Sequence, residues 1–273
     1  MASVEDPKAT WRYAKELPAD KTNLAKAWKL LETYSGIPSS EIETHVSTIR
    51  DKAFAVFHYP CIGRWRFLDL YITSTPEYPA VISRLQAGET LLDVGCCFGQ
   101  ILRQLAVDGA PQENLTGTDL RPEFIELGYE LFRDKDRFGG QFVAGNILDD
   151  ATDGSLRSLD GKFNIIHTAS FFHLFGWDDQ VKVGERIVRF LKPDAQNALV
   201  LGRQVGSFEP LSLEEYREKG ERRYHHNVET LQKLWNVIGD RTGTQWKVSG
   251  ELFESGYDDA KRVIIRFSVH KVV

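Results

Sequence analysis

Apolar positions recur along this chain with two different periods, and the period changes near residue 88. Before that point the spacing predicts helices over 22–34, 39–57, 64–73 and 76–86. After it, short apolar runs predict strands that begin near residues 90, 114, 141, 163, 198, 246 and 262, and amphipathic helices separate most of them. The sequence therefore predicts an N-terminal helical cap over 1–87 and an α/β core over 88–273.

The first five predicted strands alternate with helices, which is typical of a parallel sheet that carries helices on both faces. The first strand has no charge before Asp93, as expected for a strand that is buried on both faces. The last strand instead alternates apolar and polar residues, which favours an antiparallel strand with one more exposed face. The predicted fold is a mostly parallel, seven-stranded sheet with a reversed terminal strand.

The stretch from Leu92 to Gly99, L-D-V-G-C-C-F-G, joins the first strand to the next helix through a glycine turn. A strand, a glycine turn and a helix N-terminus together form a ligand cradle in open α/β sheets. Asp93 precedes the first glycine by two positions, where a carboxylate suits a cationic ligand and would repel a phosphate. Asp119 ends the next strand, where an acid takes ribose hydroxyls. The alternative is an ordinary turn with an incidental acid.

Several runs of residues resemble one enzyme family. The glycine turn resembles motif I of the class I S-adenosylmethionine-dependent methyltransferases, which implies a Rossmann-like fold and S-adenosyl-L-methionine as cofactor. Further runs are similar to the fungal methyltransferases of meroterpenoid biosynthesis: D-V-G-C-C-F-G-Q, N-L-T-G-T-D-L, F-I-E-L-G-Y-E-L-F, H-L-F-G-W-D-D-Q and Y-P-C-I-G-R-W-R-F-L. The resemblance implies a methyl ester formed on the carboxyl group of a meroterpenoid intermediate, either a prenylated aromatic or a polyketide-terpenoid. Close relatives could act on a different acid or on a hydroxyl.

The resemblance also implies where the cofactor lies. Its expected contacts are at the strand ends and in the glycine turn: Asp93, Gly95, Cys96, Gly99, Asp119, Leu120, Asn146, Ile147 and His167. Asn146 and Ile147 follow the third strand, beside the adenine in this family, although a polar loop after a strand would have the same composition.

The acceptor is expected against an aromatic and basic wall. The candidates are spread over the cap and the loop after the fourth strand: Tyr13, Phe57, Tyr59, Arg64 and Trp177. Packing of the cap on the core explains the aromatic residues equally well, but it does not explain arginine beside them, and a guanidinium can take a carboxylate. A variable loop over 207–224 is a further candidate for this wall.

His173 follows the fourth strand, where reacting groups face the crevice of such folds. A carboxylate acceptor has a pKa near 4 and needs no general base, whereas a phenol with a pKa of about 10 usually does. We therefore predict that His173 orients the acceptor oxygen by a hydrogen bond. The alternatives are a core histidine and, for the whole chain, a methyltransferase fold that has become a non-methylating cyclase or isomerase.

Composition narrows the partners and the compartment. The chain has 273 residues, 42% of them hydrophobic, and a formal net charge of -5, which argues against nucleic acid as a partner. Three cysteines, two of them adjacent, favour free thiols in a reducing compartment. No metal-ligand spacing, secretory signal or apolar run of about 20 residues is present. We expect a soluble, cytoplasmic enzyme that binds a small-molecule acceptor. The sequence does not decide between a monomer and a homodimer.

Overall fold

The computed structural model of the chain describes residues 12–18, 24–149, 154–255 and 262–272. Its strands form one seven-stranded sheet in the order β3-β2-β1-β4-β5-β7-β6. In chain order they are β1 (Leu91–Val94), β2 (Leu115–Asp119), β3 (Gln141–Ala144), β4 (Ile165–Ala169), β5 (Leu199–Val205), β6 (Trp246–Ser255) and β7 (Arg262–Lys271). Strands β1 to β5 pair in parallel, and β7 runs antiparallel to both of its neighbours. The predicted fold is confirmed.

Helices cover both faces of this sheet. They are α1 (Ala25–Thr33), α2 (Ser39–Val56), α3 (Pro60–Gly63), α4 (Tyr78–Gln86), α5 (Gln100–Val107), α6 (Pro122–Phe132), α7 (Trp177–Phe190), α8 (Leu213–Glu218) and α9 (Val228–Thr242). The helices predicted over 39–57 and 76–86 are confirmed with small shifts at their ends. Among the described residues, no helix combines the length and the apolarity needed to cross a bilayer.

The helix predicted over 64–73 is wrong. Pro60 begins a short helix, because proline is compatible with the first turn of a helix. That helix ends before Trp65, whose backbone is left-handed with φ of 63°. The chain then forms two 3₁₀ turns, Arg66–Leu68 and Tyr71–Ser74. This short-turn segment brings residues 69–71 over the sheet.

The sheet separates two apolar cores, and alternate strand residues enter each of them. Leu91 and Ile165 belong to the first core, which they share with the N-terminal helices, α5 and α6. Leu92 and Ile166 belong to the second core, together with residues of α7 and α9. Two positions after Leu91 and Ile165, the strand residues face the N-terminal helices again. The division of the chain at residue 87 stays a prediction.

Candidate active site

The glycine turn between β1 and α5 requires its glycines. Gly95 and Gly99 have φ of 73° and 65°, a region that disfavours side chains. The amide of Gly95 donates to the carbonyl oxygen of Thr118 at 2.8 Å, which ties the turn to β2. A Cβ on Gly95 would lie 2.6 Å from the Phe171 ring, in the loop after β4. Because Phe171 lies so close, position 95 has no room for a side chain.

Asp119 fixes the other side of the turn. One of its carboxylate oxygens accepts from the amide of Cys97 at 2.9 Å, and the other accepts from the amide of Arg121 at 3.0 Å. Burial raises the pKa of this carboxyl, and the two amide hydrogen bonds oppose that rise. Asp119 therefore lies at the mouth of the turn with both oxygens oriented, and its contact with a ribose stays a prediction.

Asp93 and His167, both predicted cofactor contacts, contact each other. They are register partners on β1 and β4, so both side chains face the N-terminal helices. Nδ1 of His167 lies 2.7 Å from Oδ1 of Asp93, and both side chains are buried. The hydroxyl of Tyr71 lies 2.8 Å from Nε2 of His167. The sequence analysis did not identify Tyr71, because it is 96 positions from its partner and no local pattern links them.

The remaining predicted cofactor residues lie around the same strand ends in different environments. Cys96 is buried, and Leu120 is 51% exposed at the end of β2. Asn146 is exposed after β3, and its side-chain oxygen accepts from the amide of Leu148 at 3.1 Å. Ile147 packs into the second core. Their contacts with a cofactor stay predictions.

His173 lies after β4 in basic surroundings. Its ring centroid is 6.4 Å from that of His225. Burial is the main cause that lowers the pKa of His173 to about 3, and electrostatic interaction with the basic residues His225, Arg223, Arg262 and Arg66 lowers it further. Its Nδ1 is buried and has no hydrogen-bond partner within the described part of the chain. The imidazole is therefore neutral near pH 7 and surrounded by basic groups.

Two of the predicted substrate residues, Tyr13 and Trp177, pack against other residues of the protein. Tyr13 donates to Asp51 at 2.8 Å, and its ring lies 5.1 Å from that of Phe54 on α2. Trp177 is 6% exposed, and its ring centroid lies 5.1 Å from that of Tyr224. Their role as substrate contacts stays a prediction, and this geometry leaves little of Trp177 accessible.

Phe57 and Tyr59 lie near Asp119. Their ring centroids are 4.3 Å apart, and the Arg121 guanidinium lies 5.1 Å from the Phe57 ring. Burial, and then the negative charge of Asp119, raise the pKa of Tyr59. This aromatic pair therefore adjoins the predicted ribose position, and its contact with an acceptor stays a prediction.

Arg66 is the arginine of the N-terminal cap that lowers the pKa of His173. Arg64 is half-buried, and its predicted contact with the acceptor stays a prediction. The sequence analysis named Arg64 as the candidate, and Arg66 lies two positions after it in the chain. Arg223 and His225 belong to the loop region after β5, whose variable composition gave no specific signal. Only packing brings these basic residues to one place.

An open cavity of about 460 Å³ lies along that loop region, and its size suits a small organic molecule. The residues that line it lie between positions 207 and 225 and include Tyr216, Arg223, Tyr224 and His225. Because His225 also neighbours His173, the cavity adjoins the loop after β4. Within the described residues, no group of histidines, cysteines and carboxylates could hold a metal ion, and the three cysteines are free thiols.

Comparison with known families gives two matches. Residues 12–68 match the model of a meroterpenoid methyltransferase N-terminal domain, and residues 91–194 match that of a methyltransferase domain. The O-methyltransferase phiE of a Fungal sp. is 40% identical over 91% of this chain and 84% of its own length. The asnovolin E/chermesin D methyltransferase nvfJ of Aspergillus novofumigatus is 41% identical over 81% of this chain and 79% of its own length.

Among solved structures, a SAM-dependent methyltransferase from Methanosarcina mazei superposes with a TM-score of 0.51 at 19% identity. The superposition covers 72% of this chain and 98% of that chain. At this level of identity the likeness concerns the fold, and it agrees with the strand order described above.

Proposed function

The chain belongs to the fungal O-methyltransferases of meroterpenoid pathways and is an S-adenosylmethionine-dependent methyltransferase, and we propose that it forms a methyl ester on a small apolar carboxylic acid. The observation that supports this acceptor is the basic environment of His173. The alternative of a non-methylating cyclase or isomerase has no support from relatives that are themselves methyltransferases.

A carboxylate is the acceptor that these basic surroundings favour. It is ionised at neutral pH, since its pKa is near 4. Arg66, Arg223 and Arg262 all act on His173 with positive charge, so an anion beside that histidine is stabilised. Hydrogen bonds between guanidinium and carboxylate are also short and charge-assisted. A neutral hydroxyl would gain much less from the same residues.

The low pKa of His173, about 3, also disfavours a phenol acceptor. Moving a proton from a phenol with a pKa of about 10 to such an imidazole is uphill by roughly 10 kcal/mol. A carboxylate requires no proton transfer. In this proposal His173 donates a hydrogen bond from its unpartnered Nδ1 and orients the attacking carboxylate oxygen.

The cofactor residues fit the group that they are proposed to hold. Asp93 and Asp119 place two carboxylates at neighbouring strand ends, one for a cationic amino group and one for a ribose diol. The glycine turn keeps its amides close to the crevice. When bound, S-adenosylmethionine supplies an electrophilic methyl group. The chain's own contribution is to orient the acceptor oxygen toward that methyl group and to exclude water.

The test is the chemical nature of the product. The full-length chain is incubated with methyl-labelled S-adenosylmethionine and matched pairs of apolar acceptors, one member with a carboxyl group and the other with a hydroxymethyl group. We expect label to enter the acid and to be released by mild alkaline hydrolysis, as an ester requires. Label in an alkali-stable ether would contradict the proposal. Gly95→Ala provides the control with an impaired cofactor turn.

A further inference from the structure

A chain of polar contacts links the 3₁₀ turn Tyr71–Ser74 to the end of β1, next to the glycine turn. It begins at the hydroxyl of Tyr71 and reaches Nε2 of His167 at 2.8 Å. It continues from Nδ1 of His167 to Oδ1 of Asp93 at 2.7 Å. His167 is 0% exposed and Asp93 is 2% exposed, so water does not compete for the contact between these two residues. Interactions of this kind are stronger in a buried site than in water.

The contacts define the direction of each hydrogen bond. Because a carboxylate only accepts, Nδ1 of His167 carries the proton and donates to Oδ1 of Asp93. In that tautomer Nε2 has no proton and accepts from the Tyr71 hydroxyl. A histidine held on both sides has one tautomer and one orientation. Oδ1 of Asp93 is thereby fixed, and the carboxylate cannot rotate freely.

Tyr71 is itself held in place by β5. The guanidinium of Arg203 lies 3.9 Å from the centroid of the Tyr71 ring, in cation–π geometry. The same guanidinium pairs with Asp69 at 2.6 Å, two residues before Tyr71. The turn that carries Tyr71 is therefore anchored to the sheet at a second point. This anchoring explains how a short 3₁₀ turn holds the Tyr71 hydroxyl at a defined position.

We propose that Tyr71 and His167 are positioning residues for the cofactor, because they orient the Asp93 carboxylate whose Oδ2 receives its ammonium group. The 3₁₀ turn that carries Tyr71 is then part of the cofactor site, although Tyr71 is 96 positions from His167 along the chain. This inference rests on the proposed contact between Asp93 and the ammonium group. It assigns functions to a hydroxyl and an imidazole that need not touch the cofactor.

The test compares two ligands that differ in the amino-acid portion. S-adenosylhomocysteine carries the ammonium group, whereas 5′-methylthioadenosine retains the adenosine and the sulfur but lacks it. Isothermal titration calorimetry is used to measure both affinities for the full chain. We expect Tyr71→Phe to lower the affinity for S-adenosylhomocysteine by about 5-fold. We expect His167→Ala to lower the same affinity by about 30-fold. Binding of 5′-methylthioadenosine should change by less than about 2-fold, since that ligand makes no use of Asp93.

A conservative variant separates orientation from packing. His167→Asn keeps a donor where Nδ1 stood, so it should retain S-adenosylhomocysteine affinity to within about 3-fold of the unchanged chain. Adding Tyr71→Phe to His167→Asn should have no further effect, because the link between the two residues is already lost. Tyr78→Phe is the matched control, since it removes another tyrosine hydroxyl of the N-terminal cap, one that donates to Asp108. It should leave both affinities unchanged.

Two results would overturn the inference. If Tyr71→Phe lowers the affinity for both ligands equally, Tyr71 has a purely structural role. If it lowers neither affinity, Tyr71 has no role in cofactor binding. The variant Asp93→Asn tests the contact between Asp93 and the ammonium group, on which the inference rests. If that variant binds S-adenosylhomocysteine normally, the ammonium contact is wrong and the inference fails with it. The ester proposal is judged separately by the alkaline lability of the product.

Discussion

We propose that one edge of this sheet binds the cofactor and another binds the acceptor, and these two edges, the cofactor edge and the acceptor edge, are built in opposite ways. The cofactor edge consists of strand ends that carry two carboxylates, Asp93 and Asp119, each with partners in the protein. The acceptor edge consists of the loops after β4 and β5, where His173 has an unpartnered Nδ1 among basic residues. One edge has its charges fixed by the sheet, and the other leaves polar groups for a ligand to satisfy.

The difference follows from what each edge is proposed to bind. A cationic, invariant cofactor suits carboxylates held rigidly by neighbouring strands, because their positions are defined by the register of the sheet. An anionic acceptor suits arginines and histidines on loops, since loops can change without disturbing the core. Changes at the cofactor edge should therefore alter the stability and the cofactor affinity together. Substitution of an exposed arginine at the acceptor edge should alter acceptor binding alone.

The largest effect is expected from Gly95→Ala. A side chain there would adopt a disfavoured positive φ and would meet the Phe171 ring, which together cost roughly 3 kcal/mol. We expect S-adenosylhomocysteine affinity to fall by about 100-fold, as measured by calorimetry. Gly243→Ala is the matched control, since its φ is 66° but nothing lies within 4 Å of the added Cβ. Equal loss of affinity in both variants would contradict the close-approach explanation.

Asp119→Asn should have the next largest effect. Both carboxylate oxygens accept from backbone amides, and an asparagine can accept on one side only. Its amide nitrogen would face a backbone N–H, which misorients the turn. We expect about 50-fold weaker S-adenosylhomocysteine binding and a lower melting temperature. A normal affinity with an intact fold would contradict the role of this carboxylate and weaken the contrast between the two edges.

Acid should destabilise the acceptor edge through His173. Its folded pKa is about 3, below its ordinary value of 6.5. Above pH 6.5 the imidazole is neutral in both the folded and the unfolded chain and contributes no pH dependence. As the pH falls below that value, only the unfolded chain binds the proton, so the free energy of unfolding decreases.

The expected decrease from this histidine is about 1 to 2 kcal/mol at pH 5. Urea denaturation at pH 8 and pH 5 measures it, with His173→Asn as the variant that lacks the titrating group. His226 is buried with the same low pKa, about 3, and should produce the residual acid sensitivity in that variant. If His173→Asn keeps the full pH dependence, His173 does not titrate as described.

The smallest effect is expected from Arg223→Gln. Arg223 is exposed at the cavity, so its attraction for a carboxylate is partly screened by solvent. We expect the KM of a carboxylic acid acceptor to rise by about 5-fold while the Kd of S-adenosylhomocysteine stays constant. Arg241→Gln is the control, since that exposed arginine pairs with Glu185 elsewhere on the surface. A change in cofactor affinity for Arg223→Gln would show that the two edges are not independent.

Much of the cofactor edge could be predicted because its signals are local. The strand over 90–94, the glycine turn and Asp119 follow from apolar periodicity and glycine spacing within about 30 residues, the size of one βαβ unit. The acceptor edge could be predicted only in outline. His173 follows a predicted strand, but nothing local indicates that Arg223 would lie near it. The failed helix over 64–73 has a related cause, because the backbone of Trp65 takes a left-handed conformation that helical spacing alone does not predict.

By itself the sequence determined the order of strands and helices, the reversed last strand and the place of the two carboxylates. These depend on hydrophobic period and on turn residues, which act over a few positions of the chain. Only the tertiary structure decided that Tyr71 meets His167 and that four basic side chains surround His173. Such contacts form between segments far apart along the chain, where shape and charge in the folded core select the partners.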